Sequence, residues 1–458
     1  MNSKYAWGKL VIRERRKNQP QKENKSLKSV LETTEVDSLI EAAEIVEYDF
    51  QQHGSIKAHV RNEIDSDRAG DGTLETGSRG SEGCRGGEAG EDLAIPQKPS
   101  SSLGREEYKN EERKLFNKWK LQMNNALGGS GAITPYERNI NVWRQFWFAV
   151  EKSDLIVQIV DARNPLLFYN GNIQKMNKEK RHLLLLNKSD LLSEIQKSEW
   201  SKYFSDNGID HLFFSAHRAE DAEKLLNAIE SAGGVKMVGM VGYPNVGKSS
   251  TINSLFRRKV VKTSIVPGKT KSIQTLEIKE GLSLCDCPGL VFPAFAAVKQ
   301  DLILNGILSL DHTREVKGCL SLIIERVGVR ELCYILGVKE FVNDSRRTVE
   351  DNFMKAVVET GGCVEEGKVV KNIVKNYIEG VIKYVHAPPK RESAEEKTIR
   401  EKEFNKHNYN IPDTFLVNLE KSYAWRTQEK KRVEVAEKDL EFSKKHYLKK
   451  GLQRVFKN

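Results

Sequence analysis

An uninterrupted apolar pentapeptide, MVGMV at 237–241, runs directly into Gly242-Tyr243-Pro244-Asn245-Val246-Gly247-Lys248-Ser249-Ser250 and then into helical spacing. A short strand without polar alternation is buried on both faces, and that demands a parallel sheet covered by helices. At its end, glycines allow a tight turn that aims backbone N–H groups at phosphate oxygens. Lys248 adds a point charge for a β and a γ phosphate, and the Ser249 hydroxyl suits Mg²⁺. Strand before and helix after is the context a phosphate-binding loop requires.

Other short apolar runs, at 155–160, 183–186 and 211–214, each end in a turn and are separated by helical lengths. The runs at 272–278 and 282–285 read as an antiparallel pair. Together they predict a doubly wound α/β domain over 133–297. Before it, 105–132 reads as a charged helix with Tyr108, Leu115, Trp119 and Met123 on one face. A second helix is expected to begin after Thr134-Pro135, with Thr134 as N-cap, Pro135 in the first turn and Glu137 completing a capping box. Its apolar face carries Ile140, Trp143, Phe146, Trp147 and Val150, a spacing that marks the tryptophans as core rather than as ligand stackers. After the α/β domain, 298–388 reads as a helical domain, most clearly in Val369, Ile373, Val374, Tyr377, Ile378 and Val381.

A chain of 458 residues exceeds one small core and calls for two or three folded units plus tails. Residues 1–64 form a basic N-terminal region, and 65–104 turn to Gly, Ser and Glu, too poor in apolar surface to offset chain entropy. Residues 389–458 form a basic C-terminal tail, either a solvated face or a contact for rRNA. The net charge of +10 suits a polyanionic partner, RNA or an acidic membrane surface, and equally a merely soluble basic protein. The six cysteines show neither zinc spacing nor a disulfide framework, so a reducing compartment is expected. No signal peptide, lipidation signal or apolar run of roughly 20 residues is present, which argues for a cytosolic or nuclear protein with no membrane partner.

Base choice rests on Asn187-Lys188-Ser189-Asp190, directly after the run at 183–186. A carboxylate such as Asp190 accepts two hydrogen bonds from the guanine N1–H and 2-amino group, a pair adenine does not offer, while Asn187 and the Lys188 stem hold the ring. Ser215-Ala216 is placed to add a backbone contact to the guanine carbonyl. Asp286-Cys287-Pro288-Gly289 ends the last strand, with Asp286 facing the magnesium shell and the Gly289 N–H facing the γ phosphate. Between phosphate loop and this motif, Pro267-Gly268-Lys269-Thr270 offers Thr270 as a second hydroxyl ligand of Mg²⁺. The motifs run in the order base, Ser-Ala, phosphate loop, Thr loop, DxxG: a circularly permuted GTP-binding protein. The DxxG loop continues through Leu290 and Phe292 into the helical domain, so loss of the γ phosphate is expected to move that domain.

These strings, with TPYERNINVWRQFW and DLIVQIVDARNPLLF, resemble the circularly permuted GTPases of the YlqF/YawG type over roughly 133–310, and most closely their cytoplasmic eukaryotic large-subunit branch. The resemblance implies an enzyme that hydrolyses GTP on the maturing large ribosomal subunit, in contact with rRNA and ribosomal proteins, and releases the nuclear export adaptor. An alternative is a GTP-loaded placeholder that needs no hydrolysis. Lys248, Asn245 and Thr270 are the expected catalytic residues, and Asn245 matches the asparagine that holds K⁺ in similar GTPases. Leu290 stands where many GTPases carry the glutamine that orients water, so intrinsic hydrolysis is expected to be slow. The connection at 217–236 is shorter than in longer relatives.

Overall fold

The computed structural model describes residues 94–417 and 419, apart from 101, 128–134, 263–271, 294–298, 311–315, 343, 345, 362–364 and 391. The basic N-terminal region, most of the Gly/Ser/Glu-rich segment, Thr134, the 267–270 loop with Thr270, and the tail from 420 onward lie outside the described residues.

The six described strands are β1 Leu155–Asp161, β2 Arg181–Asn187, β3 His211–Phe213, β4 Met237–Val241, β5 Gln274–Lys279 and β6 Leu282–Asp286. They form one sheet in the order β3-β2-β1-β4-β6-β5, parallel except for the β5–β6 hairpin. Every residue of β1 is buried, Gln158 and Asp161 included, as a central strand between two helical layers must be. The chain steps outward through β1, β2 and β3, then returns to lay β4 beside β1 and continues on the other side. Connections leaving β1 and β4 diverge, which opens a crevice at their carboxyl ends.

The helices are α1 Arg105–Leu127, α2 Ile140–Lys152, α3 Pro165–Phe168, α4 Asn172–Met176, α5 Glu194–Asp206, α6 Ala219–Ser231, α7 Lys248–Leu255, α8 Lys299–Leu304, α9 Val316–Val327, α10 Val329–Ile335, α11 Val349–Gly361, α12 Glu366–Glu379 and α13 Ala394–Asn405. α1 covers 105–127 of the expected 105–132, the rest lying outside the described residues, but its buried stripe runs through Glu112, Phe116, Trp119, Lys120 and Met123, while Tyr108 and Leu115 lie at the margin. The stripe is turned toward α2, where Arg144 Nε donates to Glu112 at 2.8 Å.

The start of α2 corrects the sequence reading. Residues 135–139 are not helical; Asn139 is the N-cap, its side chain accepting from Asn141 N at 2.9 Å. Thr134 lies outside the described residues; the Glu137 carboxylate accepts from Asn139 N at 2.9 Å and its carbonyl from Trp143 Nε1 at 2.8 Å. Its N–H goes to Val291 O at 2.9 Å, so this segment is spent on tying down the loop after β6.

The tryptophans are core, as their spacing predicts: Trp143 is fully buried and meets Trp119, Phe146 and Phe292 edge-on at 5.4, 5.8 and 5.7 Å. Trp143→Ala should therefore cost about 3–5 kcal/mol of unfolding free energy in denaturant titrations. A cost below about 1 kcal/mol would show that this cluster does not unfold with the sheet.

α8 to α12 share a second core that includes Ile303, Leu320, Ile323, Leu332, Phe353, Ile373, Val374 and Tyr377. Val381, expected on the α12 face, is 55% exposed because α12 stops at Glu379 and Gly380 turns the chain at φ +84°. α13 begins with a capping box at Ser393 and Glu396 and packs back on α5, where Gln196 Nε2 donates to Phe404 O at 2.8 Å. No helix among the described residues is long and apolar enough to cross a membrane.

Candidate nucleotide site

The phosphate loop fills the turn between β4 and α7. Gly247, at φ +99°, closes the loop as the N-cap of α7, and a Cβ there would come within 2.1 Å of Asn187 Nδ2. Lys248 starts α7 and is 7% exposed; its ammonium donates to Gly242 O at 2.9 Å and Tyr243 O at 2.6 Å, which folds the side chain back over the loop. Ser249 and Ser250 follow in the first helical turn, partly exposed. Tyr243 packs between Phe168, edge-on at 5.5 Å, and Phe292, tilted at 5.6 Å, holding the loop to both neighbouring connections.

Asp286, the last residue of β6, is buried, and neither of its carboxylate oxygens has a hydrogen-bond partner. An unpartnered buried carboxylate facing a loop built for phosphate fits a hard cation such as Mg²⁺. Gly289 lies against Pro244, and Leu290 N donates to Gly242 O at 3.2 Å, so the DxxG loop is hydrogen-bonded to the phosphate loop. Leu290 itself is buried in the main core, and Phe292 packs on Trp143 and Phe146. The start of the path toward the helical segment is thus anchored on the sheet side rather than free to swing.

Burial raises Asp286 to about 6 despite Lys248 nearby, and burial lowers Lys248 to about 8 despite Asp286. Asp286 holds its proton more tightly folded than unfolded, so its contribution to the stability of the nucleotide-free fold is full at low pH and is lost as pH rises through about 6. Metal binding needs the ionised form, and phosphate binding needs the protonated Lys248. Magnesium-dependent nucleotide affinity should therefore plateau between pH about 6 and about 8, falling up to about tenfold per unit on either side. A titration by mant-GDP fluorescence checks this; a flat profile from pH 5 to 9 would contradict it.

On the base side, Asn187 Nδ2 donates to Val246 O at 2.7 Å and joins the base motif to the phosphate loop. Its Oδ1 is buried without a partner. Lys188 sits at φ +63°, and its ammonium donates to Asp161 Oδ2 at 2.7 Å. Ser189 N donates to Phe214 O at 3.0 Å, and Ser215 Oγ donates to Asp190 Oδ1 at 2.6 Å. Ala216 follows, partly buried. The four segments predicted to meet, 187–190, 215–216, 242–250 and 286–289, lie at the carboxyl ends of β2, β3, β4 and β6.

Sequence reasoning missed Asp161 and Arg163. Burial alone would raise the Asp161 pKa, but Arg163 and Lys188 outweigh it and hold the carboxyl well below the usual carboxylate range. The signal was present: an acid closing the largely apolar strand β1 has to be paired. Asn245, at φ +59°, donates through Nδ2 to Gly306 O at 2.8 Å, a contact with the helical segment.

Residues 237–332 match the family described as 50S ribosome-binding GTPase. "Large subunit GTPase 1" of Saccharomyces cerevisiae is 32% identical over 469 residues, which cover 85% of this chain and 73% of that one. The chain belongs to the large subunit GTPase 1 family. Another member, "GTPase LSG1-1" of Arabidopsis thaliana, is 31% identical, with 82% of this chain and 83% of the relative covered. Among solved structures, GNP-bound YlqF from T. maritima is 19% identical with a TM-score of 0.36, covering 53% of this chain and 94% of that one. As a member of the family the chain is a GTPase: it binds GTP and hydrolyses it to GDP and phosphate, on a P-loop domain whose base motif precedes its phosphate loop.

Proposed function

We propose that this GTPase works on the maturing large ribosomal subunit in the cytoplasm, touching rRNA and ribosomal proteins, and that GTP hydrolysis there drives late maturation and releases the nuclear export adaptor. The observation that carries the reading is the yeast relative, similar over most of both chains and named for the large subunit. The net charge of +10 suits an RNA partner, and affinity for the subunit should then fall as salt rises.

In this reading Asn187, Lys188, Ser189, Asp190, Ser215 and Ala216 take the guanosine, and 242–250 and 286–289 cradle the phosphates. Ser249, Thr270 and Asp286 hold Mg²⁺, which neutralises charge on the β and γ oxygens. Lys248 supplies a fixed positive charge to the same oxygens, in a dry pocket where it acts most strongly. Asn245, whose Nδ2 donates to Gly306 O at 2.8 Å, would hold K⁺, which would add positive charge beside the phosphates. Buried Leu290 cannot orient water, so hydrolysis waits for a group supplied on the ribosomal particle. Equal rates in sodium and potassium on that particle would remove Asn245 from the catalytic set.

The same leucine favours a second reading, a GTP-loaded placeholder. Thr270→Ala separates the two, because it removes a metal ligand while leaving the base and phosphate contacts. If adaptor release from large subunits proceeds unchanged with a Thr270→Ala protein that no longer hydrolyses GTP, the release switch is wrong and the placeholder stands.

A further inference from the structure

The base motif and the helical segment meet at one buried arginine. Arg163, 5% exposed, donates from Nε to Asp161 Oδ1 at 3.0 Å and from NH2 to Asp161 Oδ2 at 2.7 Å. Its NH1 donates to Tyr377 O at 2.9 Å and its NH2 also to Ile378 O at 3.2 Å, both carbonyls in the last turn of α12. The same Asp161 Oδ2 accepts from Lys188. One residue beyond α12, Gly380 lies so close to Leu191 that an added Cβ would sit 2.7 Å from Leu191 Cδ1. α12 therefore presses on the base loop at two points, and Gly306 holds the phosphate loop through Asn245.

A guanidinium is a planar fork that can serve a carboxylate and two carbonyls at once, and the carbonyl end of a helix carries partial negative charge that favours it. With α12 away, two of Arg163's partners are lost in a buried place, and the arginine must leave to find water. Asp161 then keeps Lys188 as its only cation, in a different balance, and the lysine stem loses its fixed direction.

We propose that Arg163 is a positioning residue for guanine recognition, through which the docking of α12 sets the rate of nucleotide release. This rests on the reading of 187–190 as the base loop. Coupling of this kind is reciprocal: a bound nucleotide tightens α12, and a partner that draws α12 away speeds GDP loss.

The test uses the full chain and mant-GDP. Competition of mant-GDP by GTP but not ATP in the wild type checks the base loop separately. Arg163→Ala should release mant-GDP at least about tenfold faster, within the range usual for coupled sites. Arg163→Lys should fall between, since an ammonium can pair with Asp161 but cannot also span two carbonyls. Hydrogen exchange supplies a readout that mere loosening would not give: GDP should slow exchange over 366–382 in the wild type and leave it unchanged in Arg163→Ala. Release within about twofold of wild type in Arg163→Ala, or α12 exchange indifferent to GDP in the wild type, overturns the proposal. If Arg163→Ala does not fold, Arg163→Lys decides: wild-type release overturns the coupling, and faster release supports it.

Discussion

Asp190→Asn should convert the protein from a guanosine to a xanthosine binder. Asp190 already accepts one hydrogen bond, from Ser215 Oγ at 2.6 Å, which fixes the carboxylate plane at the end of the base loop. Guanine presents two donors, N1–H and the 2-amino group, and a carboxylate accepts both. An amide places its own NH₂ against one of them, donor facing donor, whereas xanthine offers a carbonyl at that position. Losing a charge-assisted pair and leaving a buried donor unmet costs about 3 kcal/mol or more, roughly 100-fold in GTP affinity. Competition of GTP and XTP against mant-GDP reads this out. Unchanged GTP preference would mean that Asp190 does not touch the base.

Lys248→Ala has the other large effect. The lysine reaches back over the phosphate loop, and its removal deprives the β and γ oxygens of a fixed charge. Removing one such donor costs on the order of 10²–10³ in turnover. A second consequence follows from the same contacts: Gly242 O and Tyr243 O lose their donor, so the loop itself should loosen and GTP affinity should drop together with kcat. A variant that keeps single-turnover hydrolysis within a few-fold of wild type would remove Lys248 from the chemistry.

The sheet and the phosphate loop were legible because their signals are local. β4 and its turn need nothing beyond nine or so adjacent residues, an unbroken apolar run followed by glycines and a lysine. The start of α2 was not legible, for Thr134-Pro135 and Glu137 mimic a capping box while Asn139 five residues on is an equally good cap. What decided between them was a distant contact, Glu137 N to Val291 O. The role of Arg163 was hidden for the same reason. Its partners Tyr377 and Ile378 lie 214 and 215 residues away, and no periodicity records such a pairing. The end of α12 shows the reverse case. Gly380 was visible in the sequence, yet apolar spacing carried the helical reading past it to Val381, and the positive φ of that glycine overrode the spacing.

The circular permutation places these contacts in a definite relation. Since the base motif comes first and the phosphate loop later, the chain leaves the nucleotide site through the DxxG loop and returns to it in α12. Leu290 and Phe292 are pinned on the sheet side, and α12 closes on the base side. The helical segment therefore touches the phosphate loop, through Asn245 and Gly306, and the base side, through Arg163 and α12.

GTP turnover with and without purified large ribosomal subunits, in potassium and in sodium buffer, tests the central claim most directly. The account predicts slow turnover alone, at least about tenfold stimulation by the subunit, and a further rise in potassium. Tight GTP binding with turnover that the subunit leaves unchanged would contradict it.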